Sequence, residues 1–406
     1  MAHDRAGDTG ATTTTPRHFT FVVPPAPGHV NPTLGLVEEL VERGHRVTYA
    51  TGPDLLDRAT AAGAKPLELP TRLPDSGPNT SFGPEDVAEL LDWVLSDAKE
   101  TGPVLEEALR NDPPDAVLAD MMTYTGRLIT ERLGLPLVAT VPNFCSNEEF
   151  SLRDEFMPAG FDYENPVLKA AEARLAEYAR DNGVDTTIEP FSSTPPPLNL
   201  VFVPRRFQLA EETFDERFRF LGPLLRRTEP QSWTPPSADA RVLYVSLGTA
   251  FNDRPEFYRM CLEAFADSPW HVVMSVGHRV DVEALGEVPA NVEIHQHVPQ
   301  LVVLRHAEVF VSHCGMGSTL ESLHAGVPLV GVPQMPEQAA NATRAEQLGC
   351  GRALDTSAVT AEELRRVVEE VAVDESVRAA LAEMRDHVRA CGGAAEGADA
   401  LERHVS

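Results

Sequence analysis

The stretch VFVSHCGMGSTLESLHAG, residues 309–326, sets His313, Ser318 and Glu321 around two glycines, Gly315 and Gly317. An apolar run enters it and a helical pattern leaves it, so the glycines fall at a strand-to-helix turn. The first amides of a helix lack intrahelical partners and carry partial positive charge. Glycine lets a ligand approach that backbone closely. The turn is therefore suited to phosphate, with His313 and the Ser318 hydroxyl as further donors. Glu321 would repel phosphate and is better suited to accept hydrogen bonds from sugar hydroxyls. The same residues also read as a plain tight turn, with Ser318 as N-cap and Glu321 completing a capping box.

A second candidate lies near the start. His29, in PAPGHVNP, follows an apolar run; Gly28 precedes it and Pro32 is placed to open a helix near its first position. A neutral imidazole can take a proton near pH 7. Asp120 ends the run DAVLAD. A carboxylate behind the ring would stabilise the imidazolium that forms, as in a base–acid dyad without a serine. Alone, Asp120 reads better as the N-cap of a following helix.

Both candidates need a scaffold that brings strand ends together. The chain alternates short apolar runs with helical patterns: HFTFVVPP, a helix with Leu34, Val37, Leu40 and Val41 on one face and Gly44 as its stop, then HRVTYATG. DAVLAD, YTGRLITERLG and LPLVATVP continue the series, and a second one runs from RVLYVSLG to EQAANATRAEQLG. Thr360 and Glu363 mark the start of a later helix. The fold class is α/β, with two doubly wound parallel sheets. Ligands in such sheets sit beyond the carboxyl ends of the strands, here in a cleft between the two halves.

The 406 residues are too many for one core. A net charge of −28 argues against nucleic-acid or anionic-membrane partners. Five scattered cysteines without a C-x-x-C suggest neither disulfides nor zinc and fit a reducing cytoplasm. The opening residues lack the apolar core of a secretory signal, and no run is long enough to span a bilayer.

Residues 297–338, HVPQLVVLRHAEVFVSHCGMGSTLESLHAGVPLVGVPQMPEQ, resemble the donor-binding signature of family 1 nucleotide-sugar glycosyltransferases, in particular the bacterial antibiotic and macrolide type. The likeness extends to PAPGHVNPTLGLVEELVERGHRVTYAT, VLADMMTYTGRLITERLGLPLVA and YVSLGTAF, covering about 18–390. It is weakest at about 71–100 and 145–235. It implies the GT-B fold: a lead at 1–17, an N-terminal acceptor-binding domain at 18–221, a linker at 222–240, a C-terminal donor-binding domain at 241–385 and a terminal helix at 386–406 that packs back on the first domain.

The resemblance also implies roles. His313, Ser318, Thr249 and the turn amides of Gly315 and Gly317 hold a diphosphate; Glu321 binds the ribose. Gln300 and the Val298 backbone read the uracil, and Glu337 and Gln338 hold the transferred sugar. His297 stands where the family usually has a tryptophan that stacks on the base, so less ring area is available there. His29 is the implied base and Asp120 its partner. No D-x-D triplet occurs in the chain, so no essential metal and no cofactor are expected beyond the sugar nucleotide.

The leading reading is an inverting glycosyltransferase moving glucose from UDP-glucose to a small hydrophobic acceptor such as a macrolide or phenolic, acting in the cytoplasm as a monomer or homodimer. Transfer from a dTDP-deoxysugar is the alternative within this class. A nucleotide-sugar epimerase on the same fold, an NAD-dependent oxidoreductase and a non-enzymatic binding protein are the alternatives outside it. The oxidoreductase lacks a G-x-G-x-x-G after the first strand.

Overall fold

The computed structural model describes residues 15–73, 83–158, 160–184, 195–225, 232–249 and 252–406. Residues 1–14 of the expected lead, 226–231 of the linker, 192–194 of the SSTPPPLNL break and 250–251 of SLGTAF lie outside the described residues.

Apolar runs that alternate with helical patterns pair as parallel strands, because each returning helix covers a sheet face. Among the described residues this happens in two sheets. The first holds β1 His18–Val22, β2 Arg46–Thr51, β3 Lys65–Glu68, β4 Ala116–Asp120, β5 Leu137–Val141, β6 Asn199–Val201 and β7 Phe218–Phe220, in spatial order β3-β2-β1-β4-β5-β6-β7. The second holds β8 Arg241–Ser246, β9 Trp270–Ser275, β10 Val292–His295, β11 Ala307–Ser312, β12 Leu329–Gly331 and β13 Gly351–Ala353, in order β10-β9-β8-β11-β12-β13. Strand order reverses between β1 and β4 in one sheet and between β8 and β11 in the other. These are the two places where loops at the carboxyl ends diverge and leave a crevice.

The helices of the first half are α1 Pro27–Glu42, α2 Leu56–Ala61, α3 Pro84–Asn111, α4 Tyr124–Leu133, α5 Leu152–Phe156 and α6 Pro166–Asp181. Those that follow are α7 Pro255–Phe265, α8 Gln300–Leu304, α9 Met316–Ala325, α10 Pro336–Gln347, α11 Ala361–Val373, α12 Glu375–Arg389 and α13 Gly393–His404. Of the apolar stripe of α1, Leu34, Val37 and Leu40 are buried and Val41 is half-buried, and Gly44 at φ 84° turns the chain out. Two expectations need correction. Helix α1 begins at Pro27, not near Pro32, because Pro27 already supplies a helical φ at the first position; Pro32 lies inside the helix. The terminal helix does not begin at 386: α12 runs on to Arg389, and the chain turns before α13.

That last helix crosses to the first half. Ala398 and Leu401 sit in one apolar cluster with Leu34, Leu36 and Leu221. Arg43, the C-cap of α1, reaches Asp399 at 2.6 Å, and His45 meets Glu402 at 2.9 Å. From the opposite side Arg344 on α10 donates to the carbonyls of Arg206, Phe207 and Gln208. Another apolar cluster runs from Val141, Phe144 and Phe207 into Val245 and Leu320. The two sheets are thus joined behind the cleft, and α1 touches α9 within it.

Candidate active site

The first reversal point brings His29 and Asp120 together. Strands β1 and β4 pair with Val22 opposite Ala119, so residues just past β1 lie beside the end of β4. His29 stands on the first turn of α1, and its Nδ1 lies 3.0 Å from both carboxylate oxygens of Asp120. The Asp120 side chain is 0% exposed and that of His29 is 26% exposed. Asp120 also accepts from the Met122 amide at 2.9 Å, and Thr123, not Asp120, is the N-cap of α4. A carboxylate only accepts, so the proton of neutral His29 is on Nδ1 and Nε2 presents a lone pair to the cleft. Burial pushes the imidazole pKa down, but the Asp120 charge, its hydrogen bond and the charge of Glu337 outweigh it, leaving the pKa raised. Beside the dyad, a cavity of about 90 Å³ is lined by Met121, Met122, Tyr124, Val141 and Phe218 together with Asp120.

The second reversal point holds the glycine turn. Cys314 follows β11 with φ 61°, a left-handed conformation that is uncommon for a residue other than glycine. Its amide is held by Ser312 Oγ at 3.0 Å and its carbonyl by Asn341 Nδ2 at 2.9 Å. His313 is wedged between two glycines. A Cβ at Gly248 would stand 2.5 Å from the ring's Cε1, and one at Gly315 2.6 Å from Nε2. Burial lowers the His313 pKa to about 4, against a weaker opposing bond with the Ser246 backbone. The ring is therefore neutral at pH 7. As a neutral ring it has one N–H to offer a ligand.

Gly315 is the N-cap of α9, and no described side chain caps that end. Ser318 is then the third residue of the helix and not its cap, so the plain-turn reading does not describe this site. A Cβ at Gly317 would meet nothing within 4 Å, so the backbone there faces open space. Thr249 is exposed in the loop after β8, next to Gly248, which packs against the His313 ring. Glu321 and Ser318 both accept from Gln300 Nε2, at 2.7 and 3.2 Å. His297 is exposed just before α8, and Val298 is buried.

At the start of α10, Glu337 accepts from Asn341 at 3.3 Å, and its charge reaches His29. Gln338 is buried, and its Oε1 accepts the Gln334 amide at 2.9 Å. That oxygen braces the loop before the helix. The ends of α1, α9 and α10 thus converge, and none is capped by a described side chain. Sequence reasoning missed Gly248, Tyr244 and Asn341, which hold the turn and Gln300 from 27 to 65 positions away; no periodicity reports such contacts.

Two parallel sheets with reversal points facing one cleft, a His–Asp pair at one and an uncapped helix start at the other, have the GT-B architecture. Residues 259–403 match the C-terminal domain family of erythromycin biosynthesis protein CIII-like proteins. The chain is 40% identical over 392 residues to the NDP-glycosyltransferase YjiC of Bacillus subtilis, covering 95% of this chain and 96% of that one. It is 36% identical to the demethyllactenocin mycarosyltransferase of Streptomyces fradiae, over 96% of this chain and 87% of that one. The crystal structure of CalG4, the calicheamicin glycosyltransferase, superimposes with a TM-score of 0.87 at 38% identity, covering 96% of this chain and 98% of that chain. The chain belongs to the antibiotic-type family 1 glycosyltransferases and is a glycosyltransferase of the macrolide and natural-product type. The epimerase, oxidoreductase and non-enzymatic readings fall with this finding. No described helix is long and apolar enough to cross a membrane.

His313→Ala removes one donor to a charged ligand and leaves the fold of the turn to the glycines. UDP affinity should fall by about 1–3 kcal/mol. Unchanged UDP affinity in calorimetry would place the diphosphate elsewhere.

Proposed function

We propose that this enzyme transfers glucose from UDP-glucose to a hydroxyl of a small apolar natural product, with inversion at the anomeric carbon and without an essential metal. The observation that carries the reading is the 3.0 Å bond from His29 to the buried Asp120, which leaves Nε2 as a base on the cleft side. The acceptor O–H gives its proton to Nε2. The oxygen's electron pair forms the bond to the anomeric carbon as the bond from that carbon to the diphosphate oxygen breaks. A single in-line displacement inverts that centre. The departing diphosphate is stabilised by the amides at the start of α9, by His313 and by Ser318, with Thr249 on the facing loop. Such preorganised donors do the work that a metal ion does in other transferases.

Glu321 supports a ribose carrying both hydroxyls, and hence UDP. The Val298 backbone, His297 and Gln300 border the place of the base, and Glu337 that of the sugar. The apolar wall of Met121, Met122 and Phe218 beside Asp120 supports a hydrophobic acceptor. A dTDP-deoxysugar donor is the second reading. Gln338 favours it: an oxygen already braced on Gln334 is less available to a fully hydroxylated sugar.

His29→Ala should cut kcat on an alcohol acceptor by about 10²–10⁴, the worth of a positioned base, with UDP affinity nearly unchanged. The loss should shrink on an acidic phenol, which is partly ionised already. Near-normal turnover on the alcohol would end this mechanism. Run with both UDP-glucose and dTDP-glucose in excess EDTA, the same assay should favour UDP-glucose and keep its rate. Equal kcat/KM for the two donors, or a loss restored by Mg²⁺, would contradict those parts.

A further inference from the structure

The Gln300 amide is spoken for inside the protein. It is the first residue of α8, following Pro299, and its Nε2 donates to Glu321 Oε2 at 2.7 Å and to Ser318 Oγ at 3.2 Å. Its Oε1 accepts from the Tyr244 hydroxyl at 3.3 Å. The orientation is dictated by chemistry. A carboxylate has no proton to give, so the NH₂ end must face Glu321, and the carbonyl end then faces the tyrosine. Both N–H groups are used.

Tyr244 is a fixed backstop for this amide. It is buried on β8 and stacks on Phe310 of the neighbouring strand β11, ring centres 4.6 Å apart. Those strands flank the second reversal point, so the hydroxyl is set by the sheet itself. Ser318 and Glu321 lie three residues apart on α9 and share the helix side that meets α8. One amide thus holds both side chains against the rigid sheet before any ligand arrives.

We propose that Gln300 is a positioning residue, backed by Tyr244, that aims Glu321 and Ser318 and thereby sets the preference for a ribose over a 2′-deoxyribose diphosphate. The inference rests on the reading of Glu321 as the ribose ligand. It assigns Gln300 a role different from reading the base edge, for which it has no N–H left. A carboxylate locked in one rotamer loses little freedom on binding a hydroxyl pair, so the gain from the 2′-hydroxyl is kept. Without the Gln300 bond Glu321 is aimed less tightly and the 2′-hydroxyl counts for less.

UDP and dUDP differ only in that hydroxyl, and calorimetry with the two separates the possibilities. The Kd ratio of dUDP to UDP should fall by about tenfold in Gln300→Met, the scale of one hydrogen bond to a charged group. Tyr244→Phe, which keeps the ring stack, should lower it in the same direction by a smaller factor. In both variants dUDP affinity should stay within about threefold of the unaltered protein, since a tenfold change is 1.4 kcal/mol. An equal loss of both ligands in Gln300→Met, with the ratio intact, would make Gln300 a base reader and overturn the inference. An unaltered ratio in Tyr244→Phe would remove Tyr244 from it. Glu321→Ala, measured alongside, separates the two levels. If it leaves the ratio unchanged, the ribose reading itself fails. If it collapses the ratio while Gln300→Met does not, only the positioning role fails.

Discussion

The bond between His29 and Asp120 is the interaction on which the rest of the site depends. A carboxylate wholly buried at the end of β4 is costly unless its oxygens are satisfied. The imidazole and the Met122 amide supply that satisfaction. In return the carboxylate fixes the tautomer and direction of the ring. Neither residue could be moved alone. The pairing exists because the sheet reverses its winding between β1 and β4, the one place where a residue opening α1 can sit beside the end of β4. The second sheet repeats this geometry, and His313 occupies the equivalent corner between β8 and β11. The corners hold rings with opposite electrostatics. Asp120 and Glu337 raise the pKa of His29, whereas burial between glycines lowers that of His313 to about 4. The two corners thus shift the pKa values of their rings in opposite directions.

Away from the cleft, α6, α11 and α12 are capped by Asn165, Thr360 and Asp374. The three helices that open on the cleft have Ala26, Gly315 and Met335 as N-caps, with no described side-chain cap. A missing cap costs about 1 kcal/mol per helix. The same holds for α2, α4, α7 and α13, so a free helix start is not confined to the cleft.

Much of this was legible in the sequence. The strand–turn–helix around His313 and the runs ending near His29 and Asp120 gave both corners, because buried parallel strands and amphipathic helices leave strong periodic patterns. Helix α3 carries such a stripe through Val87, Leu91, Leu95, Leu105 and Leu109, yet Gly102 and Pro103 interrupt it, and it went unread. Strands β6, β7 and β13 have three residues each, too few to show a period. Pro32 misled as a helix start because Pro27, five positions earlier, is as good a first residue. The hold of Tyr244 on Gln300, of Asn341 on Cys314 and of Gln334 on Gln338 belongs to tertiary packing. Each is an ordinary polar residue until the fold brings its partner near.

The central claim is that a neutral His29, held by Asp120, accepts the acceptor's proton. The pH dependence of kcat/KM for an alcohol acceptor tests it most directly, measured on the unaltered enzyme and on Asp120→Asn. A base must be neutral to act, so the rate falls as pH drops through its pKa. Because the His29 pKa is raised, the acidic limb of the unaltered enzyme should lie above the ordinary histidine value of about 6.5. Without the Asp120 charge, burial prevails: the limb should move to lower pH while the plateau falls. An acidic limb at the same pH in both proteins would contradict the account, since the group that titrates would then owe nothing to Asp120.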